Sequence, residues 1–202
     1  VYKRQDVLGD WKNNRWAIDM TLLEHRGQLY AIWSGWETAE PTDKTQQHLY
    51  IAKMENPWTI SSGRVKISSP DRYYEQGILP LNEGPQVLKH GKDIFIVYSC
   101  GQSWLDTYKL SYLRLKDLDA DLLSPESWIK SEKPVFEGTD SVFGVGHASF
   151  TTSPDGKEYY IYYNPLICNN TEHKIRKEVL KNCDVYKEIA YSQLSKEELE
   201  NE

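Results

Sequence analysis

The chain lacks a long apolar run: nowhere in its 202 residues does a hydrophobic stretch approach the ~20 residues that a membrane-spanning helix needs. No amino-terminal signal sequence is visible either. A basic excess is missing too. With 24 Lys and Arg against 30 Asp and Glu, the net charge is −6, which argues against a nucleic-acid backbone or an anionic membrane as partner, since both need basic patches. Cysteine is scarce. Cys100 closes a strand in Tyr98-Ser99-Cys100-Gly101 and reads as a small buried apolar residue. Cys168 and Cys183 flank an insertion and could pair, and Asn169-Asn170-Thr171 between them has the form of an N-glycosylation acceptor. Together these lean towards a secreted, oxidising setting. There is no zinc-ligand spacing, phosphate-binding glycine loop or nucleophile elbow. Phenylalanine is rare, at 4 residues, where tyrosine numbers 14 and tryptophan 7. Tyr and Trp offer flat apolar faces with a polar edge, which suits carbohydrate, although β-proteins favour these residues in any case.

What the chain does have is a repeat. Asp19 in Trp16-Ala17-Ile18-Asp19, Glu83 in Asn82-Glu83-Gly84-Pro85 and His147 in Gly146-His147-Ala148 follow one another at intervals of 64 residues. A turn glycine comes soon after each, at Gly27, Gly91 and Gly156, followed by an aromatic strand: Leu29–Ser34, Ile94–Ser99 and Tyr159–Tyr163. A third strand reads in Leu49–Met54, Leu110–Leu115 and Ile189–Leu194. A strand-turn-strand-strand unit repeated at this period is the sequence sign of propeller blades. The segments around Trp11, Trp58 and Trp128 read as connections between blades, as do Pro70, Pro80, Pro125 and Pro134. Asn164-Pro165 ends the last clear strand, Glu172–Tyr186 shows helical periodicity, and Ser195-Lys196-Glu197-Glu198 has the form of a capping box in a solvated tail.

The three repeated polar residues are the candidates for chemistry. Asp19 stands in an apolar strand, where a carboxylate is costly unless paired or facing a wet cavity; the ordinary alternative is a structural Asp at a strand end. Glu83 precedes Gly84-Pro85 and resembles a turn glutamate, but it holds the place in its repeat that Asp19 holds in the one before. Carboxylates at equivalent places in adjacent blades converge near the axis. Each disfavours ionisation of the other, so one can stay protonated and act as an acid. His147 could bind a metal or water there, or be an ordinary satisfied histidine. His25, His48, His90 and His173 fall in turns or strand ends and need no functional reading.

Taken in order, Trp16–Asp19, Leu29–Gly35, Leu49–Trp58, Asn82–Gln86, Tyr98–Gly101, Ser127–Ser131, Pro134–Phe136, Gly146–Phe150 and Ser153–Glu158 resemble glycoside hydrolase family 43, in the branch of arabinofuranosidases and related exo-acting enzymes. The likeness covers residues 11–163, within a partial propeller over residues 1–194 that carries an insertion at 164–187; a tail follows at 195–202. It implies an all-β, five-bladed β-propeller of which about three blades are present. It further implies that Glu83 is the general acid of an inverting hydrolysis, and that Asp19 raises the acid's pKa and orients it. His147 would match an axial histidine that helps hold an ion through water. No cofactor is required by this reading, and the axis is open to a structural calcium. The substrate implied is a carbohydrate bearing α-L-arabinofuranosyl or β-xylosyl units. The general base has no match in this chain: Asp6 and Asp10 lie in a connection near Trp11. The expectation is therefore of an incomplete chain, inactive by itself, that starts at Val1 after earlier blades. The alternatives are a catalytically inactive carbohydrate-binding propeller and an interaction scaffold.

Overall fold

The computed structural model describes residues 15–39, 46–139 and 142–166. Asp6, Asp10, Trp11, Cys168, Asn169, Cys183, the helical segment and third strand expected after residue 170, and the terminal tail lie outside the described residues. Those described form an all-β molecule of three antiparallel sheets. The first holds β1 (Ala17–His25), β2 (Gln28–Gly35), β3 (His48–Asn56), β4 (Thr59–Ile60) and β5 (Val65–Ser68). The second holds β6 (Asn82–His90), β7 (Asp93–Cys100), β8 (Lys109–Leu115) and β9 (Trp128–Lys130), and the third β10 (Phe143–Thr152) and β11 (Tyr159–Leu166). Among the described residues no helix is long and apolar enough to cross a membrane.

Each sheet begins with a hairpin, closed by two residues in the first two sheets and by six in the third. Arg26 and Gly27 both take left-handed backbone, at φ 52° and 76°, which gives the twist that a two-residue loop between right-twisted strands requires. Gly91 and Gly156 sit at the corresponding turns with φ 59° and 70°. The inner strands β2, β3 and β7 then read as continuous apolar runs because residues on both their faces are buried. Ile32, Leu49 and Ile51 point into the core shared by the first and second sheets, with Ile96, Tyr98 and Leu113 opposite them. Ala31, Trp33 and Tyr50 pack on the first sheet's other face. Val97, Leu110 and Ala148 join the second sheet to the third. Cys100 is fully buried, as its sequence context implied.

The opening strand of each sheet lies beside the next sheet's opening strand: β1 against β6, and β6 against β10. Sheets stacked face to face with their first strands gathered on one side are blades around an axis. Gln47 and Leu81 bridge the first two sheets on that side, and the Asn82 N–H donates to the Gln47 carbonyl at 3.0 Å.

Three details differ from the sequence reading. Trp58 and Trp128 are not in connections between blades: Trp58 sits in the turn joining β3 to β4, and Trp128 opens β9. These fourth strands are only two to four residues long, too short to show a two-residue alternation. Asn164-Pro165 does not end β11, because Asn164 pairs with Gly146 and Leu166 with Phe143. Asn82-Glu83-Gly84-Pro85 is not a turn but the start of β6, and Pro85 is tolerated there because it falls in a bulge.

Candidate active site

Each inner strand is broken by a bulge at the same level. The register shifts between Ile18 and Thr21 in β1, between Glu83 and Gln86 in β6, and between Gly146 and Ser149 in β10. In all three, the residue just after the last regular pair takes left-handed backbone: Asp19 at φ 58°, Gly84 at 55° and His147 at 50°. Outside glycine this conformation is uncommon, and where it persists the surroundings impose it. A bulge re-aims side chains at the end of a strand.

These bulges correct the register. Asp19 corresponds to Gly84 and then to His147, so equivalent residues are 65 and then 63 apart. Glu83 corresponds to Ile18 and Gly146. The even spacing of 64 places Glu83 one residue out of step with Asp19. A signal of the true register was present, since β2 and β7, with Ser34 and Ser99 in equivalent places, are also 65 residues apart.

The offset brings the groups together by a different route from simple equivalence. Asp19 Oδ2 accepts a hydrogen bond from the Gly84 N–H at 3.0 Å, so its carboxylate is tied to the backbone immediately after Glu83. Glu83 Oε1 accepts one from the Tyr108 hydroxyl at 2.8 Å. The His147 N–H donates to Ser99 Oγ at 2.7 Å. A methyl group on Gly84 would come within 3.2 Å of His147 Nδ1, so the histidine ring lies directly against the bulge after Glu83. Asp19, Glu83 and His147 therefore meet at one place. Asp19 and Glu83 are half-buried there, whereas His147 is exposed.

Burial is the main influence on Glu83, pushing its carboxyl above the ordinary carboxylate range. The Tyr108 hydrogen bond pulls in the opposite direction, Asp19's charge adds to the upward shift, and His147 opposes it. Asp19's charge thus adds to the upward push on Glu83, but desolvation is the larger cause. Such a group can hold a proton closer to neutrality than a free glutamate and deliver it to a leaving oxygen.

Several residues that support the site escaped the sequence reading. Asn82, next to Glu83, is fully buried and pinned on three sides: Ser34 Oγ donates to its carbonyl at 2.7 Å, Ser68 Oγ to its Oδ1 at 2.7 Å, and its Nδ2 donates to Glu75 Oε1 at 2.9 Å. Glu75 also accepts from the Tyr98 hydroxyl at 2.7 Å and pairs with Lys130 at 2.9 Å. Tyr108, 1% exposed, stands just before β8, in a loop with no periodicity to mark it.

Among the described residues no group of three or more His, Cys, Asp or Glu side chains is placed to hold a metal ion directly.

Comparison with known proteins supplies the remaining information. Residues 5–183 match the family model of glycosyl hydrolases family 43. The chain is similar to the extracellular exo-alpha-(1->5)-L-arabinofuranosidase of Streptomyces avermitilis, 40% identical over 150 residues that make up 73% of this chain and 30% of that protein. It is also similar to alpha-L-arabinofuranosidase 43 of Humicola insolens, at 33% identity with the same two coverages. Among solved structures, an alpha-L-arabinofuranosidase from Lactobacillus brevis superposes with a TM-score of 0.68 at 36% identity, over 74% of this chain and 45% of that one. A thermostable family-43 glycoside hydrolase gives 0.64 at 25% identity, over 74% and 48%. The chain spans less than half the length of each of these relatives.

Proposed function

Because this chain belongs to glycosyl hydrolase family 43, we propose that it carries the acid side of an O-glycosyl hydrolase that removes terminal α-L-arabinofuranosyl or β-xylosyl units. The observation that carries this reading is Glu83: a desolvated carboxyl with a raised pKa, hydrogen-bonded to Tyr108 and flanked by Asp19 and His147. In the proposed reaction Glu83 gives its proton to the glycosidic oxygen as the bond to the anomeric carbon breaks. Water attacks the opposite face, so the configuration inverts. Asp19 fixes the Gly84 backbone next to the acid and keeps its proton affinity high. The carboxylate that activates water is not assigned to any residue of this chain. Relatives named as extracellular arabinofuranosidases support a secreted protein with a carbohydrate partner.

The test is Glu83→Gln in the intact natural protein. Turnover of a substrate with a poor leaving group should fall by roughly 10²–10⁴-fold, the usual contribution of general acid catalysis. An aryl glycoside with a strongly acidic phenol should lose far less, because its leaving group needs little protonation. Equal losses on the two substrates would remove Glu83 from the acid's role. Sugar binding with no turnover at all in the parent would favour an inactive carbohydrate-binding propeller.

A further inference from the structure

The Glu83 carboxyl is not held by its own blade alone. Tyr108 approaches it from the loop between β7 and β8, and the ring of that tyrosine packs against Gly146 of β10. A methyl group built on Gly146 would overlap Cδ1, Cε1 and Cζ of the ring outright, so only glycine leaves room for it. The loop is fixed at both ends of this contact. The Tyr108 N–H donates to the Leu105 carbonyl at 3.1 Å, and the Gly144 N–H donates to the Asp106 carbonyl at 3.1 Å, tying the loop to the start of β10. Tyr108 is 1% exposed, so its hydroxyl has little water to compete for.

We infer that Tyr108 is a positioning residue for Glu83: its ring, seated on Gly146, aims a hydrogen bond at Oε1 and locks the carboxyl in one orientation relative to the His147 strand. This rests on the reading of Glu83 as the acid. A proton donor must point at the leaving oxygen within hydrogen-bond reach, and a free glutamate side chain has several orientations to lose. A phenol suits the task because burial, followed by the nearby Glu83 charge, pushes its own pKa upward. It therefore stays protonated and remains a donor throughout the working range. The groups facing Glu83 are Asp19 from β1, His147 from β10 and Tyr108 itself. Of these, Tyr108 alone is shown hydrogen-bonded to the carboxyl. The glycine at 146 gains a specific purpose: it keeps a seat open for the ring.

Two measurements test this. In the intact natural protein, Tyr108→Phe should lower turnover of a poor-leaving-group substrate by about 10–100-fold, in line with the loss of a hydrogen bond to a charged group. A substrate with a strongly acidic phenol should be nearly unaffected, and KM should be little changed on both. In the 202-residue chain, a carboxyl-¹³C titration of Glu83 needs no turnover. Losing the donor should move its midpoint to higher pH, whereas a merely structural tyrosine would leave it in place. Gly146→Ala should reproduce both signatures by unseating the ring. If Glu83→Gln discriminates between the two substrates but Tyr108→Phe does not, and the titration midpoint stays put, Tyr108 is not the positioning residue although Glu83 remains the acid. If Glu83→Gln itself fails to discriminate, the acid assignment falls first, and the midpoint alone then decides whether the hydrogen bond controls the carboxyl.

Discussion

Glu83 carries a charge that its surroundings disfavour, and this has a consequence for stability. Its carboxyl titrates above the ordinary range in the folded protein, mainly because it is buried. Below the ordinary carboxylate range both folded and unfolded chains hold the proton, and the group imposes no penalty. As pH rises, the unfolded chain releases its proton first, so the folded state loses relative stability until the folded carboxyl has also ionised. Glu83→Gln removes this penalty. The variant should melt at a higher temperature than the parent near neutral pH, and the difference should close towards about pH 4, where free glutamate takes up its proton. Acid-site residues commonly cost stability in this way. An advantage that grew on acidification would contradict the raised pKa. That Asp19, Glu83 and His147 meet was legible in the sequence through their places in the repeat, although Glu83 itself resembled a turn glutamate. Tyr108 was not, because nothing in a run of loop residues announces a contact with a carboxyl 25 positions away.

At the scale of elements, the support beneath the site is a buried ion pair carried by the shortest pieces of structure. Lys130 lies on the three-residue β9, and Glu75 lies in a single turn of 3-10 helix between β5 and β6. The Lys130 ammonium bonds both oxygens of Glu75, at 2.9 and 3.0 Å, and Asp71 at 3.0 Å. The glutamate is 0% exposed. Lys130→Met should leave that carboxylate buried without its counter-ion and destabilise the fold by about 3–5 kcal/mol. Lys66→Met breaks a pair with the exposed Glu37 and should cost no more than about 1 kcal/mol. Urea unfolding of the two variants reads the contrast directly, and similar losses would mean that the Glu75 site is wet in solution. Elements of this kind are what sequence patterning misses. β2, β3, β7 and β8 were recovered to within about two residues because their apolar runs are long and their hairpin glycines are fixed. β4, β5 and β9 have no room for a pattern, and the bulges shift the repeat by one residue without leaving a mark in hydrophobicity. The even interval of 64 therefore looked like equivalence where the backbone counts 65 and 63.

For the molecule as a whole, the blades share work across their boundaries. The proposed acid, Glu83, sits on the second sheet, Asp19, which ties down the backbone next to it, on the first, and Gly146, against which Tyr108 packs, on the third. No single blade forms the site, so its integrity depends on how the sheets stack. Among the described residues β11 pairs only with β10, and Tyr159 and Tyr162 on it are 52% and 43% exposed. A strand with an open edge and exposed aromatics favours pairing with another chain. Within the described part Asp19 is engaged with the Gly84 backbone and Glu83 is the proposed acid, which leaves no assigned carboxylate to activate water. The 202 residues alone should therefore show no hydrolysis of an aryl α-L-arabinofuranoside, and should elute from a sizing column as more than a monomer. Both can be measured on one purified sample. Clear turnover by a well-behaved monomer would overturn the prediction, and would show that a base lies within this chain; Asp6→Asn and Asp10→Asn would then be the first variants to make, because a carboxylate that activates water should take nearly all turnover with it when neutralised.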